Sequence, residues 1–521
     1  MGNEYSASKY KSAVTVQLND TGKPTIFLNA GNMFRGNIWF NLLGPTVWSA
    51  VLNVMHFDAI TLNYKEFYRG PPPLKLFFDN LSISDVPVVC CNMDFAPESL
   101  LTNVTIKKSL MIRRGGVNIG IIGYFDPRAR IRAAPGPTVI TDDPVECIKE
   151  QVKELRARGS QIFIAFGGYT LDLDTEIARS IPELSVVVTA TESVRMYPKR
   201  LTPPAGENAT DDYPMTVTRS DGTLCLMVAV FPFGKYLGNI TVTYDRQTWR
   251  PIAYEGLPAI LSGESFLSGT VADVLRQWDK YVTEQSRLVV GTTKVQIKNT
   301  FSDCSLGQCN GGTLLAEAAF DYFSNEQAEG TWSMINAAVV NAAATHSGVD
   351  ERLHGGEIQK QDLYNLYPFE DQFVLMTMQG NTVFKMMQHS VDETGYGGQF
   401  LQMSGLRVVY AGRRVEDLRI VCTSCRTVKF EKVFRLQWYT IAMPQYIAEG
   451  GEGFDFSAVP KSLRMYTNVT DVYLLAQYVK KFSPIKTGID GRIRILASGA
   501  PHTGTSIVMF VIVFSVTSIR R

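Results

Sequence analysis

Residues 28–40, LNAGNMFRGNIWF, carry a short apolar strand (TIFLNA, from Thr25) into a glycine turn and on into a second apolar run. Corners of this kind often hold an acidic metal ligand at the carboxyl end of a sheet, but the residue after Gly31 is Asn32. Two-metal phosphoryl chemistry needs several carboxylates and neutral imidazoles facing one cleft. The chain has five histidines, His56, His346, His354, His389 and His502, and four of them fall in the carboxyl-terminal half or tail. A histidine-rich centre in the first half is therefore hard to build. A centre of unfamiliar type would have to draw on acids such as Asp58, Glu66, Asp172 and Asp174.

The eight cysteines include two tight pairs, Cys304 with Cys309 (CSLGQC) and Cys422 with Cys425 (CTSC). Such pairs close as disulfides in an oxidising compartment or meet as a four-thiolate zinc site. Six Asn-x-Ser/Thr sequons, at Asn19, Asn80, Asn103, Asn208, Asn239 and Asn468, weigh toward the secretory route and hence toward disulfides. Cys90, Cys91, Cys147 and Cys225 lie in apolar stretches and read as buried thiols. Lysine plus arginine is 51 against 50 for aspartate plus glutamate, so no bulk field recruits nucleic acid.

The two ends point in different directions. MGNEYSASKYKS has no apolar signal core, although it matches the myristoylation pattern for Gly2. Near the other end Ser498, Gly499 and Ala500 precede a polar spacer and an apolar run from Ile507 to Val516, the layout of a glycolipid-anchor signal. That run is shorter than the roughly 20 residues of a transmembrane helix. Together with the sequons this predicts an extracellular or surface-held chain, with a leader absent from the sequence as it stands.

These residues must be positioned by regular elements. From residue 25 to about 260, β-branched runs (PTIFLNA, FDAITLN, VPVVCCNM, VNIGIIGY, QIFIAFGG, LSVVVTA) alternate with amphipathic stretches such as PTVWSAVLNVMHF and PVECIKEQVKELRARG. That order predicts a layered α/β domain. GTVADVLRQWDKYVTEQSRL predicts a bridging helix, and a second mixed domain follows to residue 497.

LNAGNMFRGNIWF, FDAITLNYKEF, VNIGIIGYF, FPFGKYLG, CSLGQCNGGTL, VDERLHGGEI, LYPFEDQF and AEGGEGF follow one another in this chain. In order and spacing they resemble the ecto-5'-nucleotidase and apyrase family. The resemblance implies a metallophosphoesterase-like β-sandwich flanked by helices (1–265, its opening Asp-x-His strand missing), a bridging helix (266–288), a nucleotide-gripping domain (289–497) and an anchor signal (498–521). It also implies two divalent metals, usually zinc, extracellular hydrolysis of nucleoside phosphates, and a homodimer.

Carried over residue by residue, the family's metal-bridging aspartate falls on Asn32, and its metal-ligand asparagine and catalytic histidine fall on Tyr64 and Lys65. Its two later histidine ligands fall on Gly168 and Thr191. None of these is a metal ligand of the expected kind, so the expectation is a degenerate member with no catalytic residues and no metal. The alternative is an active nucleotide phosphohydrolase with a non-standard metal site. Lys65 with Arg35 is a further candidate, for binding phosphate without metal. In the second domain the resemblance places the nucleotide grip on Asn341, His346, Phe369, Tyr446 and Glu452, with alanines at 342–344 and Gly307 where glycines and an arginine are expected. The expected partner is an adenine nucleoside or nucleotide, or an extracellular protein.

Overall fold

The computed structural model describes residues 24–34, 38–82, 85–131, 140–191, 194–204, 208–230, 236–261, 269–325 and 330–496. Arg35, the sequon at Asn19, and both terminal signals, including Ser498, lie outside the described residues.

The amino-terminal half is built on a six-stranded sheet. In chain order its strands are β4 (Leu110–Arg114), β5 (Val117–Tyr124), β7 (Ile162–Gly167), β8 (Leu184–Thr189), β9 (Met215–Thr218) and β10 (Leu224–Val228), arranged β4-β5-β7-β8-β10-β9. The four central strands run parallel. Both faces are covered, as parallel strands require. Ile119 and Ile121 of β5 join one core with Ala59, Val89 and Phe166, while Ile122 and Tyr124 face another. That second core is closed by α4 (Pro144–Ala157) and α5 (Leu171–Ser180). Helix α4 follows from its sequence: Asp143 caps it by accepting from Val145 N and Glu146 N, Pro144 opens it, and Val145, Ile148, Val152 and Leu155 bury one stripe.

A second layer holds β1 (Leu28–Asn29) parallel to β2 (Ala59–Ile60), with Ile60 bridged to Val88. The runs PTIFLNA, FDAITLN and VPVVCCNM thus give shorter ladders than their composition predicts. Their ends turn to side chains instead, as where Phe27 N donates to the Asp58 carboxylate and Gly31 N to Asn29 Oδ1. Around this layer lie α1 (Ile38–Leu43), α2 (Pro45–Met55) and α3 (Pro71–Asn80). The 18-residue helix α6 (Gly269–Ser286) sets Val271, Leu275 and Val282 into the same core. A two-stranded ladder pairs β3 (Met93–Asp94) with β6 (Ile140–Thr141).

The carboxyl-terminal half centres on a five-stranded mixed sheet. It contains β11 (Ala337–Asn341), β12 (Gln372–Gln379), β13 (Leu401–Ser404), β14 (Trp438–Pro444) and β15 (Arg464–Thr470), in the order β13-β11-β14-β12-β15. Helices α7 (Asn310–Ser324) and α8 (Asp471–Phe482) share one core with this sheet. Cys304 is bonded to Cys309 and Cys422 to Cys425. Two separate disulfides therefore stand in place of a single four-thiolate zinc site.

Candidate functional site

The parallel strands deliver their carboxyl ends to one edge, where sites of open α/β sheets form. Hydrogen bonds tie the loops together there. The Asn32 amide after β1 donates to Ala190 O after β8 at 3.2 Å, and the Asn63 amide after β2 donates to Gly168 O after β7. Gly31 and Asn32 both have left-handed backbone, φ 88° and 64°. At Gly31 this is steric necessity, since a Cβ would meet Asn63 N at 2.8 Å. Asn32, Lys65, Gly168 and Thr191 thus belong to the loops of one corner.

Glu66 occupies the middle of that corner. Its carboxylate accepts from the backbone N–H groups of Asn32 (3.1 Å), Met33, Phe34 (3.2 Å) and Asn63 (2.7 Å). Such a convergence of amides is an anion-binding nest, and here the chain's own side chain fills it. The spacing Asn63-x-x-Glu66 is a capping box on the short turn Tyr64–Phe67. Burial pushes the Glu66 acid up, and the four amides oppose that shift.

The other acids are also engaged. Asp174 is fully buried and accepts from Tyr124 Oη (2.7 Å) and from Thr189 Oγ1. Burial pushes it up to about 7. Asp126 holds Arg128 and accepts from Thr170 Oγ1 at 2.8 Å. Asp58 lies at the amino-terminal edge of β2 instead, paired with Arg114, so the four acids that an unfamiliar centre would recruit do not share one cleft. Among the described residues, one group of three His, Cys, Asp or Glu has ligand atoms close enough for a metal. It comprises Cys422, Cys425 and Glu431, whose two cysteines are bonded to each other.

The positions themselves disfavour ligands. Tyr64 is 1% exposed and packs edge-on against Tyr68 and Tyr169. Gly168 has φ 81°, and a Cβ built there would overlap the Asp174 carboxylate. Asn32 Oδ1 is buried without a hydrogen-bond partner. An amide, a phenol, an ammonium, a glycine and a threonine are a poor donor set for two dications.

Lys65 is 5% exposed and lines a cavity of about 280 Å³ between the two halves, with Phe34, Phe40, Tyr68, Arg69 and Phe369. Arg69 forms an ion pair with Glu370 across this junction. Glu370 has φ 50°, a strained value for a residue with a side chain. Behind it, Asp371 Oδ2 accepts from Tyr446 N at 3.2 Å, and Asp371 N donates to Asp471 Oδ2 at 3.2 Å. Burial raises both acids, Asp371 to about 7, and the Asp371 charge adds to the rise at Asp471.

The carboxyl-terminal half supplies the rest of the cleft. Tyr446 Oη donates to Glu452 Oε1 at 2.7 Å, and a Cβ at Gly398 would touch both the Glu452 carboxylate and Ala343. Asn341 ends β11 and is 1% exposed, with neither side-chain polar atom partnered. The amide nitrogen of Gln399, next to Gly398, is likewise buried without a partner. Buried polar atoms in this condition are uncommon and call for a ligand or water. The structure thus links Tyr446 and Glu452 directly, and places Asn341 two residues before Ala343 in the same neighbourhood. Phe369 reaches the junction cavity, and His346 is exposed.

Reading the sequence missed the closed role of Glu66, although the capping-box spacing was there to find. It also missed Gln399, the Arg69–Glu370 pair and the Asp371–Asp471 pair, which arise from contacts distant in sequence and have no local signal.

Taken together, a helix-covered parallel-sheet half, a mixed-sheet half and a cleft between them define the two-domain α/β architecture of the nucleotidases. The family profile described as 5'-nucleotidase, C-terminal domain, matches residues 289–459. The 5'-nucleotidase of Mus musculus is 27% identical over 497 residues, covering 94% of this chain and 84% of its own. The snake venom 5'-nucleotidase of Crotalus adamanteus is 27% identical over 477 residues, covering 90% and 80%. The crystal structure of a 5'-nucleotidase precursor from Thermus thermophilus superposes with a TM-score of 0.75 at 23% identity, covering 96% of this chain and 94% of that one. Over most of its length the chain is similar to 5'-nucleotidases, and residues 289–459 match the C-terminal domain of that family.

Proposed function

We propose that this chain is a catalytically silent 5'-nucleotidase homologue, held outside the cell, that binds a nucleoside in its interdomain cleft without hydrolysing a phosphate. The observation that carries this reading is the donor set of the strand-end corner: Asn32, Tyr64, Lys65, Gly168 and Thr191 stand where the resemblance puts metal ligands and the catalytic histidine, and none of them is a carboxylate or an imidazole. Lys65 in place of the catalytic histidine, and Gly168 with no room for a side chain, support it further. The residues at the corner do not fit a pair of divalent metals, and no catalytic step is assigned through them.

Binding is supported by the unpartnered amides of Asn341 and Gln399 and by the Tyr446–Glu452 pair, which offers an aromatic face and an acceptor for ribose hydroxyls. The unpartnered amides of Asn341 and Gln399 are uncharged, which suits a nucleoside better than a nucleotide. The two disulfides and the exposed sequons at Asn80, Asn103, Asn208 and Asn468 support an extracellular setting. We take the working units to be 1–265, the bridge 266–288, and 289–497.

Phosphate release from AMP, ADP and ATP with zinc, magnesium or calcium tests the silent reading. Turnover of about 1 per second or faster would overturn it in favour of an active hydrolase. Calorimetry should give heat with adenosine, less with AMP, and none with either after Phe369→Ala. No heat from the native chain with either ligand would remove the nucleoside and leave a protein partner.

A further inference from the structure

Two cysteines outside the cleft are brought together by the β3–β6 ladder. Met93 pairs with Thr141 and Asp94 with Ile140. One step further Asp142 N donates to Asn92 O at 3.0 Å, and the Asn92 amide donates to Asp142 O at 3.0 Å. The next position in this register sets Cys91 opposite Asp143, the residue that caps α4. Cys147 N donates to Asp143 O at 3.1 Å, so Cys147 stands one helical turn beyond the residue facing Cys91. Cys91 is buried in the core under α4 and Cys147 packs on that same core, both as free thiols in this structure.

The neighbouring cysteine is turned away. Cys90 lies in the opposite core, with α2 and α3, and bonds Asn92 Oδ1 at 3.6 Å. Successive side chains of an extended segment point to opposite faces, which leaves Cys91 as the partner for Cys147. Cys225 sits on β10, separated from β5 by two strands.

We propose that Cys91 and Cys147 form a third disulfide in the mature protein, fastening the first turn of α4 to the segment that leads into β3. The oxidant is a small or protein disulfide. The half-buried Cys147, as thiolate, attacks it to give a mixed disulfide and releases one thiolate. Cys91 then loses its proton and attacks Cys147 Sγ, expelling the second thiolate, so that two cysteine thiols are oxidised and one disulfide is reduced to two thiols. Burial and the adjacent thiols hold Cys91 well above the ordinary thiol range. The proposal depends on the extracellular reading only for the oxidant in the organism.

The test supplies its own oxidant. The full chain is folded in a buffer of oxidised and reduced glutathione, denatured without reductant, alkylated with iodoacetamide and weighed intact. Of eight cysteines, three bridged pairs leave two to alkylate, Cys90 and Cys225, and a proteolytic digest should contain the Cys91–Cys147 linked peptide. Alkylation of all four remaining cysteines, or a Cys90–Cys147 link, would overturn the proposal. Cys147→Ser should expose Cys91 as a newly alkylated thiol; if that variant fails to fold, the native count decides alone. Adenosine binding and AMP turnover are unaffected by either result, so failure here is distinct from failure of the proposed function.

Discussion

Asn32 serves its corner through what it donates: its backbone N–H to Glu66 and its amide to Ala190 O. Asn32→Asp would remove the second donor and set a carboxylate beside Glu66 in a half-buried place. The expected loss is about 2 kcal/mol in urea unfolding, larger at pH 8 than at pH 5 because the added acid ionises. A variant as stable as the parent that also binds zinc at micromolar concentration would show the corner to be restorable. Gly168→His should be worse, since backbone at φ 81° and the Asp174 carboxylate both oppose any side chain. We expect it to lose about 3 kcal/mol or fail to fold, and to gain no metal. At this scale the sequence shows which residues differ from the resembling family's motifs, because single letters carry that. Of Glu66 it offered only the capping-box spacing, because three of its four amides come from a loop about thirty residues before Asn63.

Elements differ in how legible they were, and the reason is where their backbone bonds go. Helices α4 and α6 close their bonds within themselves and bury one stripe, so spacing alone locates them. β1 and β2 finish their bonds on Asp58 and Asn29, which no alternation pattern announces. The junction of β12 with α8 makes a prediction of its own. Asp471 at the start of α8 is 2% exposed, and Asp371 stands just before β12. Both acids are raised in the folded state, Asp371 to about 7 from an ordinary value of 3.8. The folded chain therefore holds protons that the unfolded chain releases, and stability falls as pH rises from about 4 through about 7. Asp471→Asn should flatten this slope and raise stability at pH 8, with little change at pH 4, as read by guanidinium unfolding. A parent curve flat between those values would refute the burial argument.

Across the whole molecule, the order of motifs made the two-domain plan readable, but the relation between the halves was not. Arg69 and Glu370 are 301 positions apart and meet only once both halves are folded. Because Arg69 is partly exposed, Arg69→Ala should cost only about 1 kcal/mol. It should nevertheless loosen the junction, seen as a larger radius of gyration in X-ray scattering and as a weaker response of that radius to salt. Identical scattering from parent and variant would deny the pair any role in setting the halves. On the proposed reading, the strand-end corner has one consequence beyond structure. A chain that holds its ligand without converting it can lower the free concentration only molecule for molecule. Its influence would then be set by how much protein is present relative to the dissociation constant, and abundance would do what turnover does for an active relative.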